Sequence, residues 1–212
     1  MAATLGIAHP PGYPLYTLLG HLFVTLLPGE PAWALNVMSA LFGAIAVGLC
    51  FTVARRLGAR PLGAGVAAAT LGAGNVFWHN AIVAEVYTPA LATLLAVVWL
   101  LLPHEGVAKD APRRRWAPFA AAALAGAGLG LHYFIATAGV GLALLFWGNT
   151  VAPDTPLRSL PRALFQAPLG RLLRGVGGLL AAGLAAAAVF VYLPLRSAMG
   201  PLIDPNKPQT LK

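Results

Sequence analysis

Charge is what this chain has least of. Only 9% of its 212 residues are Asp, Glu, Lys or Arg, against about 25% in an ordinary soluble domain. A mean hydropathy of +0.76 leaves too little polar surface to face water. It equally excludes intrinsic disorder, which needs low hydrophobicity and high charge. A single cysteine, Cys50, rules out a disulfide framework within the chain, and its apolar surroundings make it a small buried hydrophobe. The 24 glycines and 18 prolines follow no Gly-X-Y period, so collagen is excluded. No Walker loop, Cys-x-x-Cys, Gly-x-Ser-x-Gly or His-Glu-x-x-His occurs, which removes the commonest soluble-enzyme chemistries. The net charge of +8 comes without an aromatic-interleaved basic stripe, so no nucleic acid partner is expected. What remains is an all-α integral membrane protein, a multi-span helical bundle in contact with lipid.

A hydrocarbon core of about 30 Å takes roughly 20 apolar residues per helix. On that measure the spans fall at 35–54, 62–83, 86–102, 117–147 and 176–195. The fourth runs for 31 residues, too long for one ordinary span and short for two. It is either one tilted helix or a pair broken at Gly126–Tyr133, so five to six transmembrane helices are expected. Residues 1–34 form an outer loop and one interfacial helix, with Tyr13 and Tyr16 at headgroup level. Residues 196–212 form an outer tail.

Lys and Arg are absent before Arg55 and then gather in Arg55–Arg60, in Pro103–Trp116 and in Pro153–Arg174. By the positive-inside rule these stretches are cytoplasmic. The His79–Glu85 turn then lies on the outer side. The Ala/Gly/Arg-rich composition hints at a GC-rich bacterial genome, hence an inner membrane with the site on its outer face. No Asn-x-Ser/Thr sequon supports a lumenal glycoprotein.

Three polar clusters interrupt the apolar runs, and this orientation puts all three near the outer face. The first is His9-Pro-Pro-Gly-Tyr-Pro-Leu-Tyr16, where prolines fix a stiff entry to the next segment; it is a rigid turn, or a substrate-facing one through His9 and Tyr13. The second is Trp78-His79-Asn80 followed by Ala84-Glu85-Val86-Tyr87. Glu85 is the one acidic residue between Glu30 and Glu105; so placed, it must be hydrated, paired or bound to a ligand. The third is His132-Tyr133 with Arg196. His132 taken alone is a structural histidine and Arg196 a snorkelling one, but arginine is also the natural phosphate clamp. The Gly126-x-Gly128-x-Gly130 run lies inside an apolar segment and reads as helix packing.

A carboxylate, histidines and an arginine on one face suit a lipid-phosphate substrate. Transfer from such a donor needs a carboxylate, or a divalent metal it holds, for the acceptor hydroxyl, and fixed donors for the departing phosphate. Glu85 serves the first need; His9, Tyr13, Tyr16, His79, His132 and Arg196 make up the substrate side. A transporter or lipid-binding module would use the same cavity without chemistry.

The same residues carry a family resemblance. Gly6-Ile-Ala-His-Pro-Pro-Gly-Tyr-Pro-Leu-Tyr-Thr-Leu-Leu-Gly20, Asn36–Gly43, Ala84–Tyr87, Gly128–His132, Val191–Arg196 and Asn206–Thr210 resemble the DUF2723 membrane proteins. That family is related to protein O-mannosyltransferase-like enzymes of the GT-C glycosyltransferase class. The resemblance implies a GT-C-like fold with a site for a polyprenyl-phosphate sugar, and inverting transfer to a hydroxyl, usually of a protein acceptor. It also implies a preceding span and an Asp-x-Gly-Glu-like stretch ahead of Gly6. On that expectation the chain is truncated at both ends and lacks its catalytic aspartate, and an inactive remnant is a third reading.

Overall fold

The structure is a computed structural model that describes residues 1–10, 12–102, 116–139, 141–143, 146 and 168–204. The basic stretches 103–115 and 153–167 and the tail 205–212, to which the sequence assigns a side of the membrane, lie outside these. Among the described residues every regular element is helical: a 3₁₀ turn at Ala2–Thr4, then α1 (Pro14–Leu26), α2 (Pro31–Arg56), α3 (Pro61–Ala73), α4 (Asn75–Ile82), α5 (Tyr87–Leu101), α6 (Ala117–Gly128), α7 (Phe134–Thr137), α8 (Leu169–Phe190) and α9 (Tyr192–Ala198). Prolines 14, 31, 61 and 118 stand at the first or second position of α1, α2, α3 and α6. A first-turn N–H has no intrahelical partner, so losing it there costs no helical bond.

Two helices are long and apolar enough to cross a membrane: α2, and the continuous run Leu169–Ala198 formed by α8 and α9. The count rises to three if α4 and α5, bent by 113° at a short break, are one broken span. The sequence expectation of five to six spans is therefore not met by helix length among the described residues. The difference has local causes. Residues 62–83 form two helices instead of one, because Gly74 takes an extended conformation (φ −61°, ψ 124°) between α3 and α4. Helix α6 ends at Gly128, and the chain turns through Leu129–Tyr133 before α7. The last long helix continues through residue 196, which the sequence assigns to a tail.

The helices pack in a row in which α6 lies against α8 and α5, α5 against α2, and α2 against α3. Small residues set the closest approach. A methyl group on Gly126 would lie inside the backbone of Ala182, and one on Gly128 would meet Ile135 and Thr93 at 2.7 and 2.9 Å. The glycine run is thus the packing surface that its sequence suggests.

Helices α2 and α5 are tied at both ends. Arg56, at the C-terminus of α2, donates to the carbonyls of Trp99 and Leu102 and lies 3.8 Å above the Trp99 ring. At the other end the Thr88 hydroxyl donates to Ser39 O at 2.9 Å. The arginine pair therefore marks the end of the bundle opposite Ser39.

Gly126→Ala is expected to force α6 from α8 and lower stability by about 1–3 kcal/mol. Gly183→Ala, where an added methyl meets nothing within 4 Å, should be neutral or slightly stabilising. Thermal unfolding in detergent compares them, and equal melting of the two variants would contradict this packing.

Candidate functional site

The site is built where α1 starts against the turn that ends α6. Gly130 O accepts hydrogen bonds from the N–H groups of Leu15 (3.0 Å) and Tyr16 (3.4 Å). These are first-turn donors of α1, and the carbonyl is one freed by the break after α6, so each satisfies the other. Gly130 permits the approach: a methyl there would strike Val189 and come within 3.0 Å of Leu15 Cβ.

This docking fixes the direction of Tyr13. Gly12 (φ 94°) and Tyr13 (φ 42°) both lie in the left-handed region, which for a tyrosine costs about 1–3 kcal/mol. A Cβ at Gly12 would also sit 2.9 Å from two Leu193 methyl carbons, which would have to shift. The strained entry turns Tyr13 into a ring cluster. His132 is its centre, with Tyr133 stacked at 4.4 Å, Tyr87 at 5.2 Å, Phe134 at 5.3 Å and Tyr13 stacked at 5.9 Å between centroids. His9 meets Tyr13 edge-on at 5.3 Å. Beneath lies an apolar floor of Met38, Ala90, Leu131 and Ile135.

His132 is 7% exposed, and its Nδ1 accepts the Phe134 N–H at 3.2 Å. A neutral imidazole with an accepting Nδ1 carries its proton on Nε2, so the ring presents a fixed N–H donor.

Glu85 stands in the α4–α5 connection, two residues before Tyr87. Its backbone N–H donates to Ser39 Oγ at 3.3 Å, and the Ser39 hydroxyl is 3.4 Å from Glu85 O. Burial raises the Tyr13 phenol above its usual range, with Tyr87, Tyr133 and Glu85 adding to it. Tyr16 is pushed up to about 12, by burial first and Glu85 second. Tyr16 therefore stays a neutral hydroxyl throughout the physiological range. Its oxygen is buried with no hydrogen-bond partner among the described residues. The sequence expectation of Tyr16 at headgroup level is corrected here: the residue is 6% exposed, because docking at Gly130 draws the start of α1 into the bundle.

Two expected site residues lie elsewhere. His79 is exposed on α4, with no contact to the ring cluster among the described residues. Arg196 donates from Nε to Leu5 O (2.7 Å) and from Nη2 to Thr4 O (3.0 Å), while Tyr192 donates to Leu5 O at 2.7 Å. Arg196 thus fastens the N-terminal turn that leads to His9. Among the described residues no three His, Cys, Asp or Glu side chains group closely enough to hold a metal ion. Ser39 is a residue that sequence reasoning did not place in the site, whereas Tyr87 and Tyr133 stand in two of its polar clusters with no role assigned. A lone serine in the apolar α2 run was the one signal for the first.

A family model described as "Protein O-mannosyl-transferase TMEM260 N-terminal domain" matches residues 1–152. The mouse (Mus musculus) "Protein O-mannosyl-transferase TMEM260" is 43% identical over 88 residues, 41% of this chain and 12% of that protein. The Dictyostelium discoideum "Protein O-mannosyl-transferase tmem260" is 45% identical over 49 residues, 22% of this chain and 6% of that protein. The matched stretch is thus a small part of either relative's length. No solved structure matches.

Ser39→Ala should release the Glu85 backbone and leave a buried N–H without its partner, at a cost of about 1–3 kcal/mol. Hydrogen exchange should quicken at Glu85–Tyr87 while α2 stays protected; unchanged exchange there would contradict the role given to Ser39.

Proposed function

The chain belongs to the family of the protein O-mannosyl-transferase TMEM260 N-terminal domain, and from that premise we propose that it forms part of a membrane glycosyltransferase acting on a protein hydroxyl. The finer reading is GT-C-like and DUF2723-like, with a polyprenyl-phosphate sugar as donor and the site on the non-cytosolic face. On the bacterial reading of its composition, that is the outer face of the plasma membrane. The observation that supports it is the gathering of His9, Tyr13 and His132 in one ring cluster beside the start of α5, two residues after Glu85, whose backbone Ser39 holds.

Chemically the step is a displacement at the anomeric carbon. The acceptor oxygen forms the new bond to that carbon while its proton passes to the Glu85 carboxylate. The bond from the anomeric carbon to the phosphate oxygen breaks, and polyprenyl phosphate leaves with the electron pair. Negative charge grows on that oxygen, so donors held in place before the reaction lower the barrier. His132 Nε2–H is such a donor, fixed by the Phe134 amide. His9 stands at the exposed rim, beside Tyr13. Arg196 acts on the same loop through Thr4 and Leu5.

Glu85→Gln in the full-length protein is expected to cut sugar transfer from a polyprenyl-phosphate mannose donor by about 100-fold or more, with expression and melting unchanged. Turnover within a few-fold of wild type would remove Glu85 from the mechanism. Saturable donor binding by a wild type that never transfers would replace the enzyme by a lipid-binding or transport module.

A further inference from the structure

The run formed by α8 and α9 turns one face toward the site at its C-terminal end. Val189, Tyr192, Leu193, Arg196 and Ser197 follow one another at intervals of three and four residues, and each is buried or half-buried. Val191, Leu195 and Met199, on the opposite side, are exposed. Residues spaced in this way share one side of a helix.

That face meets both loops that carry the ring cluster. Val189 packs on Gly130, in the turn that leads to His132. One turn further on, Leu193 packs on Gly12, next to Tyr13. Tyr192 and Arg196 reach the beginning of the same loop. The Tyr192 hydroxyl donates to Leu5 O at 2.7 Å, with Gly6 O at 3.1 Å, and the Arg196 guanidinium spreads over Leu5 O and Thr4 O. Ser197 completes the face: its hydroxyl donates to Asp204 Oδ2 at 2.7 Å, and Ile203 O beside that acid takes the Ile7 N–H at 2.7 Å.

The carbonyl of Leu5 is the focus of these bonds. Leu5 lies in the left-handed region (φ 50°, ψ 41°), where a leucine stays only if its surroundings over-determine it. Two donors from α9 meet on its oxygen. The segment from Leu5 to Gly12 is thus bonded at one end and packed at the other by a single short helix, with His9 midway. The same rod holds the turn before His132 through Val189. At 1.5 Å per residue, Val189 and Arg196 lie about 10 Å apart along the axis. That spacing sets the register of His9 and Tyr13 on His132.

We propose that Tyr192 and Arg196 are positioning residues, which hold the His9–Tyr13 loop against His132 through the carbonyls of residues 4–6. Arg196 then acts on backbone oxygens and not on the donor phosphate. This rests on the glycosyl-transfer reading and names what fixes its donors before the reaction. Serving the carbonyls of two successive residues uses the planar fork of arginine; a lysine carries the same charge on one nitrogen without that geometry. A phosphate contact would instead be kept in part by lysine, which binds phosphate as a point charge.

The test uses the full-length protein in lipid nanodiscs, with undecaprenyl-phosphate mannose as donor and a threonine-containing peptide as acceptor. Arg196→Lys and Arg196→Gln should each lower kcat about tenfold and leave the donor KM within about twofold, and Tyr192→Phe should lower kcat about threefold. Tyr192→Phe combined with Arg196→Gln should lose less than the product of the two, because both side chains serve Leu5 O. Amide exchange at Ile7 and Gly12 should quicken in the Arg196 variants while the interior of α8 stays protected. Tyr192→Phe, which removes one oxygen, carries the test if an Arg196 variant melts early. A lysine variant with wild-type kcat, or a glutamine variant whose donor KM rises with kcat unchanged, would return Arg196 to the phosphate and overturn the proposal. Exchange at Ile7 and Gly12 that is the same in every variant would overturn it too. If wild type transfers sugar and the variants match it, this proposal falls and the glycosyltransferase reading stands. If wild type transfers none, that reading falls, and the positioning role with it.

Discussion

One carbonyl organises the end of this bundle. Gly130 O stands where α6 has stopped, and its two acceptances come from the first turn of α1. Away from water, an unsatisfied backbone group costs several kcal/mol, so irregular backbone persists only where something inside the protein answers it. A helix that simply stopped would leave carbonyls orphaned, and a helix that simply began would leave N–H groups orphaned. Here each deficit cancels the other. Residues 13–16 and 129–133, more than a hundred positions apart, are joined without a charged side chain.

Everything chemical in the site inherits its place from that contact. It turns Tyr13 toward His132 through two successive left-handed residues, and it draws Tyr16 into the core beside Met38 and Leu131. The strain at Tyr13 is sustained because the loop before it is fastened by Tyr192 and Arg196. From the other side, Ser39 holds Glu85 to α2. The acid stands in an α4–α5 connection that bends by 113°. A tautomer-locked imidazole and a buried neutral phenol thus lie in the part of the bundle where fixed dipoles act most strongly.

Part of this was legible in the sequence. The run 35–54 ends at Arg55-Arg56 and becomes a single long helix, because nothing inside it competes with helical bonding. The Gly126–Gly130 stretch announced a break, since glycine weakens a helix and permits close approach. The short polar connection at Glu85 stood out as a lone acid amid apolar residues. Other features were hidden for physical reasons. Hydropathy over 62–83 cannot see that Gly74 becomes extended, because a glycine in a long apolar window barely changes its mean. The Ser39–Glu85 bonds link positions 46 residues apart, and no local pattern records them. Tyr87 and Tyr133 resemble any membrane-boundary aromatics until their common partner is known. The sequence leaves Arg196 open between a snorkelling side chain and a phosphate clamp, since only its charge is visible there; its backbone partners, Thr4 and Leu5, are visible only in the fold.

The account stands or falls on the joint between α1 and the turn after α6, and residue-resolved amide hydrogen exchange of the full-length protein in nanodiscs probes it most directly. First-turn amides ordinarily exchange fast, having no intrahelical partner. The amides of Leu15 and Tyr16 should instead be protected to the level of the interior of α1, and Gly130→Val should abolish that protection while leaving the interior unchanged. Rapid exchange at Leu15 and Tyr16 in the wild type, or protection indifferent to Gly130→Val, would contradict the account.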